Sequence, residues 1–375
     1  MHPNRLRIRN GLPPMPSYLP IKRWMDVSEK VRTAERLLAL RQKLRSEVIE
    51  RAGRDPLLIA TWNLRDFDSN RFGHGPRLRE SFYYIAEIIS AFDLVVLQEV
   101  NRNLDALEVL LSILGPEWDY VATDAVEGAN GSEERLAFIF RQSKLIFRKI
   151  AGEIVLPGGQ FTVSGAEGTA REAELGFRRA PYLVAFQAAG GFNFNLCTLH
   201  LAYDGLKARD LERFSARLDA IARYLKERQD REREDYIILG DFGVGAPSDI
   251  LARSLDRHGF SVPEALTRRR ASLDPQHYYD QIAFRFVEDR MELAGSGAFQ
   301  PFDTVFRDNE KDFAAYREMM PAEKADDLWN GGPQSYYTGQ WRTWQISDHM
   351  LLWAALKVDF SDHFLDQIRK SRGPN

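Results

Sequence analysis

The feature that most constrains this chain is a series of short apolar runs, rich in β-branched residues, recurring from residue 57 to residue 356. Leu57 to Trp62, Leu94 to Glu99, Leu136 to Arg141, Tyr182 to Gln187, Asn193 to His200, Tyr236 to Gly240, Tyr279 to Phe286 and Met350 to Leu356 each have the length and composition of a strand. Amphipathic helices fit between them at 78 to 91, 101 to 113 and 206 to 228. Strands and helices that mix without strict βαβ alternation predict an α/β architecture of two packed sheets flanked by helices. At 375 residues and 44% apolar composition the chain is long enough to bury such a core.

Three regions flank or interrupt this pattern. Residues 1–53 form an N-terminal unit, a basic arm followed by a helix. The first 25 residues hold five basic side chains, five prolines and no acid, and Val27, Val31, Ala34, Leu38 and Val48 set the helical period that follows. The main domain is expected over 54–360, with residues 361–375 as a tail. Within it, the five glycines of 156–176 predict a loop, and 303–345 reads as an insertion, charged at first and then aromatic through Trp329, Tyr336, Tyr337, Trp341 and Trp344. That insertion is a candidate lid, substrate-reading surface or contact for a protein partner, with core packing of its aromatics the plain alternative. The longest apolar run, about ten residues near Met350 to Val358, falls short of the roughly 20 that span a bilayer. No secretory signal is visible, and a lone cysteine, Cys197, fits a reducing compartment, so the cytoplasm is the expected location. With a net charge of −3, any affinity for a polyanion has to come from a local patch.

Polar residues stand where the apolar runs end. Asn63 follows the first run, Glu99 and His200 close the second and fifth, Asp241 follows the sixth, and Asp348 and His349 precede the last. Strand ends are where a rigid scaffold presents side chains to a cleft. Glu99, Asp241 and Asp348 are hard oxygen donors suited to Mg²⁺, Mn²⁺ or Ca²⁺, whereas one cysteine and scattered histidines do not make a structural zinc site. Phosphodiester hydrolysis needs a cation for the phosphoryl charge, a base for water and an acid for the leaving alkoxide; this inventory contains all three.

The motifs Ile59-Ala60-Thr61-Trp62-Asn63-Leu64-Arg65, Leu97-Gln98-Glu99-Val100, Glu134 to Arg141, Arg179-Ala180-Pro181, Leu199-His200, Gly240-Asp241-Phe242, Tyr279-Asp280-Gln281-Ile282 and Ser347-Asp348-His349 occur in this order. Over residues 57 to 357 the chain thereby resembles the endonuclease/exonuclease/phosphatase superfamily, and within it the deoxyribonuclease I type. The resemblance implies a four-layer sandwich of two packed mixed β-sheets flanked by helices, with one active site at the top of the sheets. It implies Glu99 as principal metal ligand with Asn63 and Asp348, and Mg²⁺ or Mn²⁺ as cofactor, with Ca²⁺ as an auxiliary. It pairs His200 with Glu134 and His349 with Asp280, assigns Asp241 to the attacking water, and gives the phosphate to Arg179, Arg65 and Asn63.

The chain departs from that pattern in three places. The family has Gly-Asp-x-Asn where this chain has Gly240-Asp241-Phe242-Gly243, and Asn101 and Ser132 stand where the deoxyribonuclease I type reaches the DNA minor groove with arginine and tyrosine. Arg102 and the run Arg268-Arg269-Arg270 remain as cations that could meet a phosphate backbone. The expected function is metal-dependent phosphodiester hydrolysis, with DNA or RNA as substrate. The alternatives are a phosphatase or phosphodiesterase acting on a small phosphorylated molecule or lipid headgroup, and a catalytically weakened member that binds nucleic acid or protein.

Overall fold

The computed structural model describes residues 15–371, apart from 54, 126–133, 157–161, 165–169, 173–176, 178, 189–190, 202–207, 244–248, 268–279, 288–290 and 327–330. Ser132, Tyr279, Trp329, the run 268–270, most of the glycine-rich loop and the first fourteen residues of the basic arm lie outside the described residues. The strands are β1 (Leu57–Phe67), β2 (Leu94–Asn101), β3 (Trp118–Ala122), β4 (Glu134–Arg141), β5 (Leu145–Glu153), β6 (Thr162–Ser164), β7 (Ala170–Glu172), β8 (Tyr182–Ala188), β9 (Asn193–His200), β10 (Asp235–Asp241), β11 (Asp280–Arg285), β12 (Glu292–Phe299) and β13 (Leu351–Lys357). Six of them form a first sheet in the order β12-β13-β1-β2-β4-β3, and five form a second in the order β11-β10-β9-β8-β5; β6 and β7 make a separate ribbon. Both large sheets are mixed, because β1 runs parallel to β2 and β10 parallel to β9 while the other pairs are antiparallel.

Alternation along the strands builds the layers. In β1, Leu57 and Ile59 face the space between the sheets, together with Leu94 and Val96 of β2, Leu196 of β9, and Ile237 and Leu239 of β10. The intervening residues face outward. Leu58, Ala60 and Trp62 pack under the helices Val27–Glu47, Arg79–Ser90 and Asp105–Leu114, and Tyr236 and Ile238 pack under the long helix Ala208–Glu232. Helix, sheet, sheet, helix is the expected order of layers.

The N-terminal helix shows a different face from the expected one. Asp26 caps it, accepting from the Glu29 amide at 2.8 Å, and Leu37, Leu40, Leu44 and Val48 bury the inner side. Each of these contributes on the order of 1.5–3 kcal/mol by leaving water. Val27, Val31 and Leu38, three of the five residues that set the sequence period, are exposed by 76%, 54% and 67%. The helix packs on the core, and Arg36 secures it there through a buried 2.6 Å ion pair with Asp312. Within the insertion, Tyr336, Tyr337, Trp341 and Trp344 are all buried, so these aromatics pack in the core.

Candidate active site

The same alternation that fills the inter-sheet core fixes where the polar residues fall. Continuing each inward row past its last apolar member brings Asn63 after Ile59 and Thr61, His200 after Leu196 and Thr198, and Asp241 directly after Leu239. Strand register then lines them up: Asp241 lies opposite His200 on one side and Asp280 on the other. Beneath this row the Gln98 amide donates to Thr61 of the first sheet at 3.0 Å and reaches Thr198 of the second at 3.4 Å, so the two sheets meet through hydrogen bonds there.

Glu99 has the wrong parity for this row, since Leu94, Val96 and Gln98 already point inward. A break in strand register corrects it: pairing of β2 with β4 shifts between Leu97 and Val100, and Glu99 adopts φ +58°. A bulge of this kind re-aims a side chain, and a non-glycine residue held at positive φ is a local strain the surrounding contacts must sustain. Those contacts are the Asn63 amide, donating to Glu99 Oε1 at 2.8 Å, and the Asp66 backbone N–H, donating to Oε2 at 2.8 Å. Burial pushes the Glu99 carboxyl above its usual range. Asn63 also donates to Asp241 Oδ2 at 3.1 Å, while its own oxygen accepts from the Arg65 amide.

The two histidines differ. His349 Nδ1 lies 2.7 Å from Asp280 Oδ2, the expected pair, and its backbone N–H donates to Ser347 Oγ, which itself donates to the Asn63 carbonyl. Burial alone would depress the His349 imidazole, but the Asp280 charge and hydrogen bond overcome it and hold its pKa well above the ordinary value. His200 is not paired directly with Glu134. Arg179 is interposed, in contact with both Glu134 Oε2 and His200 Nδ1, and leaves the histidine and the carboxylate 4.0 Å apart. The cause is the chemistry of a buried carboxylate that takes two guanidinium groups, Arg179 and, at 3.1 Å, Arg71. A guanidinium only donates, so His200 Nδ1 must accept and its proton sits on Nε2, 3.8 Å from both Glu99 and Asp241. Burial pushes His200 down to about 4, which keeps it neutral.

Two expected site residues also contact each other. Arg65 gives its donors to the insertion, to the Gln340 carbonyl at 3.1 Å, the Gln340 side chain at 2.5 Å and Thr343, and its Nε lies 3.4 Å from Asp348. It ties the strand end to the insertion. Asp348, expected beside Glu99 as a ligand, pairs with that arginine and joins neither of the two clusters whose donor atoms lie within 4.8 Å of one another: Glu99, His200 and Asp241, and Asp241, Asp280 and His349. Sequence reasoning also missed Asp66, Arg71 and Arg77. Arg77, buried between Phe67 and Trp344, donates to the carbonyls of Leu64 and Arg65 and so holds the irregular end of β1 in which Arg65 and Asp66 take positive φ. No local motif marks these three, because each acts on a backbone or side-chain group whose conformation the sequence does not display.

A single site has thus been assembled at one end of the sandwich, from Asn63, Glu99 and Glu134 of the first sheet and His200, Asp241 and Asp280 of the second, with Arg179 and His349 beside them. The family model of the endonuclease/exonuclease/phosphatase family matches residues 60–368. The chain belongs to that family. Its members generally use divalent metals. No curated protein shows a significant match. Among solved structures, the human Nocturnin catalytic domain with bound sulfate is 14% identical, covering 82% of this chain and 96% of that one, with a TM-score of 0.49. A mannosyl-6-phosphatase from Bacteroides thetaiotaomicron is 18% identical over 80% of this chain and 99% of its own, at 0.46, and truncated TDP2 from Caenorhabditis elegans is 13% identical over 80% and 97%, at 0.46.

The donor set fits a divalent cation. Asp241 is shared by both clusters and Asp280 Oδ1 is buried with no hydrogen-bond donor among the described residues. Carboxylates gathered this closely repel one another unless a cation lies between them, and oxygen donors of this kind suit Mg²⁺ or Mn²⁺.

Proposed function

We propose that this family member hydrolyses phosphodiester bonds with a divalent cation and that its substrate is a nucleic acid. The observation that carries the reading is the convergence of Asn63 and Glu99 from one sheet with His200, Asp241 and Asp280 from the other, within hydrogen-bonding or ligand-sharing distance. Glu99 and Asp241 would hold the cation, which when bound neutralises charge on the phosphoryl oxygens. His349, fixed through Nδ1 by Asp280, is left with Nε2 to move a proton at the phosphate, and the Asn63 amide orients Glu99 and Asp241. Arg179, held by Glu134, brings positive charge to the His200 side, where it serves the phosphate. The preference for a polynucleotide rests on the deoxyribonuclease-type motif set and on the cations Arg71 and Arg179 gathered beside the row.

Purified protein incubated with Mg²⁺ or Mn²⁺ and plasmid DNA, single-stranded DNA, RNA and simple phosphomonoesters tests the reading. Cation-dependent cleavage of a polynucleotide is expected, and Glu99→Gln should lower it by about 10³ or more with the circular dichroism unchanged. Full turnover in excess EDTA would sink the metal role. Hydrolysis confined to phosphomonoesters would replace the nuclease with a phosphatase.

A further inference from the structure

The exposed side of the N-terminal helix is itself apolar and periodic. Val27, Val31, Ala34 and Leu38 follow one another at spacings of four, three and four, the period of a buried helical face, yet Val27, Val31 and Leu38 are all more than half exposed. Beside this stripe runs a groove of about 420 Å³ between the short helix Leu19–Trp24 and the helix Val27–Glu47, floored by Ile21, Leu37 and Leu38. Three cations, Lys22, Lys30 and Arg41, line it, and no acid does. Arg41 is paired with Glu87, but Lys22 and Lys30 have no acidic partner among the described residues.

We infer that this groove receives an acidic amphipathic helix of another protein. Charge excludes the nearer occupants. The chain's own first fourteen residues carry Arg5, Arg7 and Arg9 and no acid, so they match the groove in sign. A second copy docked groove to groove would bring two sets of three cations together with no acid in either lining. A flat anionic membrane would have to approach the exposed acids Asp26 and Glu35 beside the stripe, and aliphatic residues offer a nucleic acid neither stacking nor base-edge contacts. A concave apolar strip with helical spacing and a basic rim instead fits an amphipathic helix that offers leucines to the floor and glutamates to the rim.

The test uses the full chain and two labelled synthetic helices of about 16 residues, alike in their leucine stripe, one bearing glutamate and the other lysine on its flanks. Fluorescence anisotropy should show the acidic peptide binding at about 10 μM, weakening several-fold in high salt, and the basic peptide failing to bind. Val31→Asp with Leu38→Asp, and separately Lys22→Glu with Lys30→Glu, should each weaken binding at least about tenfold. Val31, Leu38 and Lys22 are exposed and Lys30 is partly exposed, and none of the four belongs to the site row, so phosphoester hydrolysis should not change. Equal binding of both peptides, no binding of the acidic one, or indifference to Val31→Asp with Leu38→Asp would overturn the proposal. So would self-association in sedimentation, or binding of phosphatidylserine vesicles or an oligothymidylate, that is lost in that same variant.

Discussion

At the scale of single residues, Asp280 and His349 act as one unit. His349→Ala combined with Asp280→Ala should be little worse in turnover than His349→Ala alone, since the carboxylate has no function once its imidazole is gone; multiplicative losses in a folded double mutant would separate them. Gly243 is a second case. Its φ is +63° and its backbone N–H donates to Asp241 Oδ1 at 2.8 Å, so this position orients the central carboxylate through the main chain. Asparagine is among the few side chains that accept such a backbone, whereas alanine strains it by about 1 kcal/mol. Gly243→Asn should therefore keep the fold and raise hydrolysis by up to about tenfold if its amide reaches phosphate, while Gly243→Ala should lower thermal stability and turnover together. Equal melting temperatures for the two variants would show that the positive φ is not what matters there.

At the scale of elements, β9 and β10 meet most tightly under the site. Gly240 has φ +130°, and a methyl group there would lie 2.1 Å from the Leu199 carbonyl oxygen. Gly240→Ala should force the strands apart, cost about 3 kcal/mol or more in a denaturant titration, and displace His200 from Asp241. The strands carrying the site were legible because their inward rows are apolar and end in a polar residue; β1, β2, β9 and β10 all read that way. β3, β5 and β12 were missed, as was the short ribbon of β6 and β7 inside the segment expected to be a loop. β5 is a sheet edge that is exposed along much of its length, and β12 contains Gly295 and Gly297, the second of which lies beneath the Trp353 indole where any Cβ would be 3.0 Å from the ring. The N-terminal helix was legible as a helix but its inner face was not. Burial of Arg36 depends on Asp312, a partner 276 residues away, and no local pattern can announce such a contact.

At the scale of the whole molecule, the insertion is joined to the rest by polar ties through apolar packing. His74 is one of them: its Nδ1 lies 2.8 Å from the Tyr336 hydroxyl and its ring packs against Trp344. Burial pushes it down to about 4, with the charges of Arg65 and Lys324 adding to the fall. A histidine whose folded pKa lies below its unfolded value stabilises the fold above the unfolded pKa, and that contribution is lost as pH falls from about 6.5 toward 4. The stability read from urea titrations should accordingly drop between pH 7 and pH 4.5, by on the order of 1–2 kcal/mol for this group, and His74→Asn should flatten that part of the profile. An unaltered profile in the variant would assign the acid sensitivity elsewhere.

The two halves of the site sit on separate layers joined by side-chain packing, with the hydrogen bonds of Gln98 as their polar link beneath the row. Strand content alone therefore says nothing about competence. A compact state that kept every β-ladder but let the layers loosen would preserve its far-ultraviolet dichroism and lose turnover at once, since the distance from Asn63 to Asp241 is itself a measure of how firmly the two layers are pressed together.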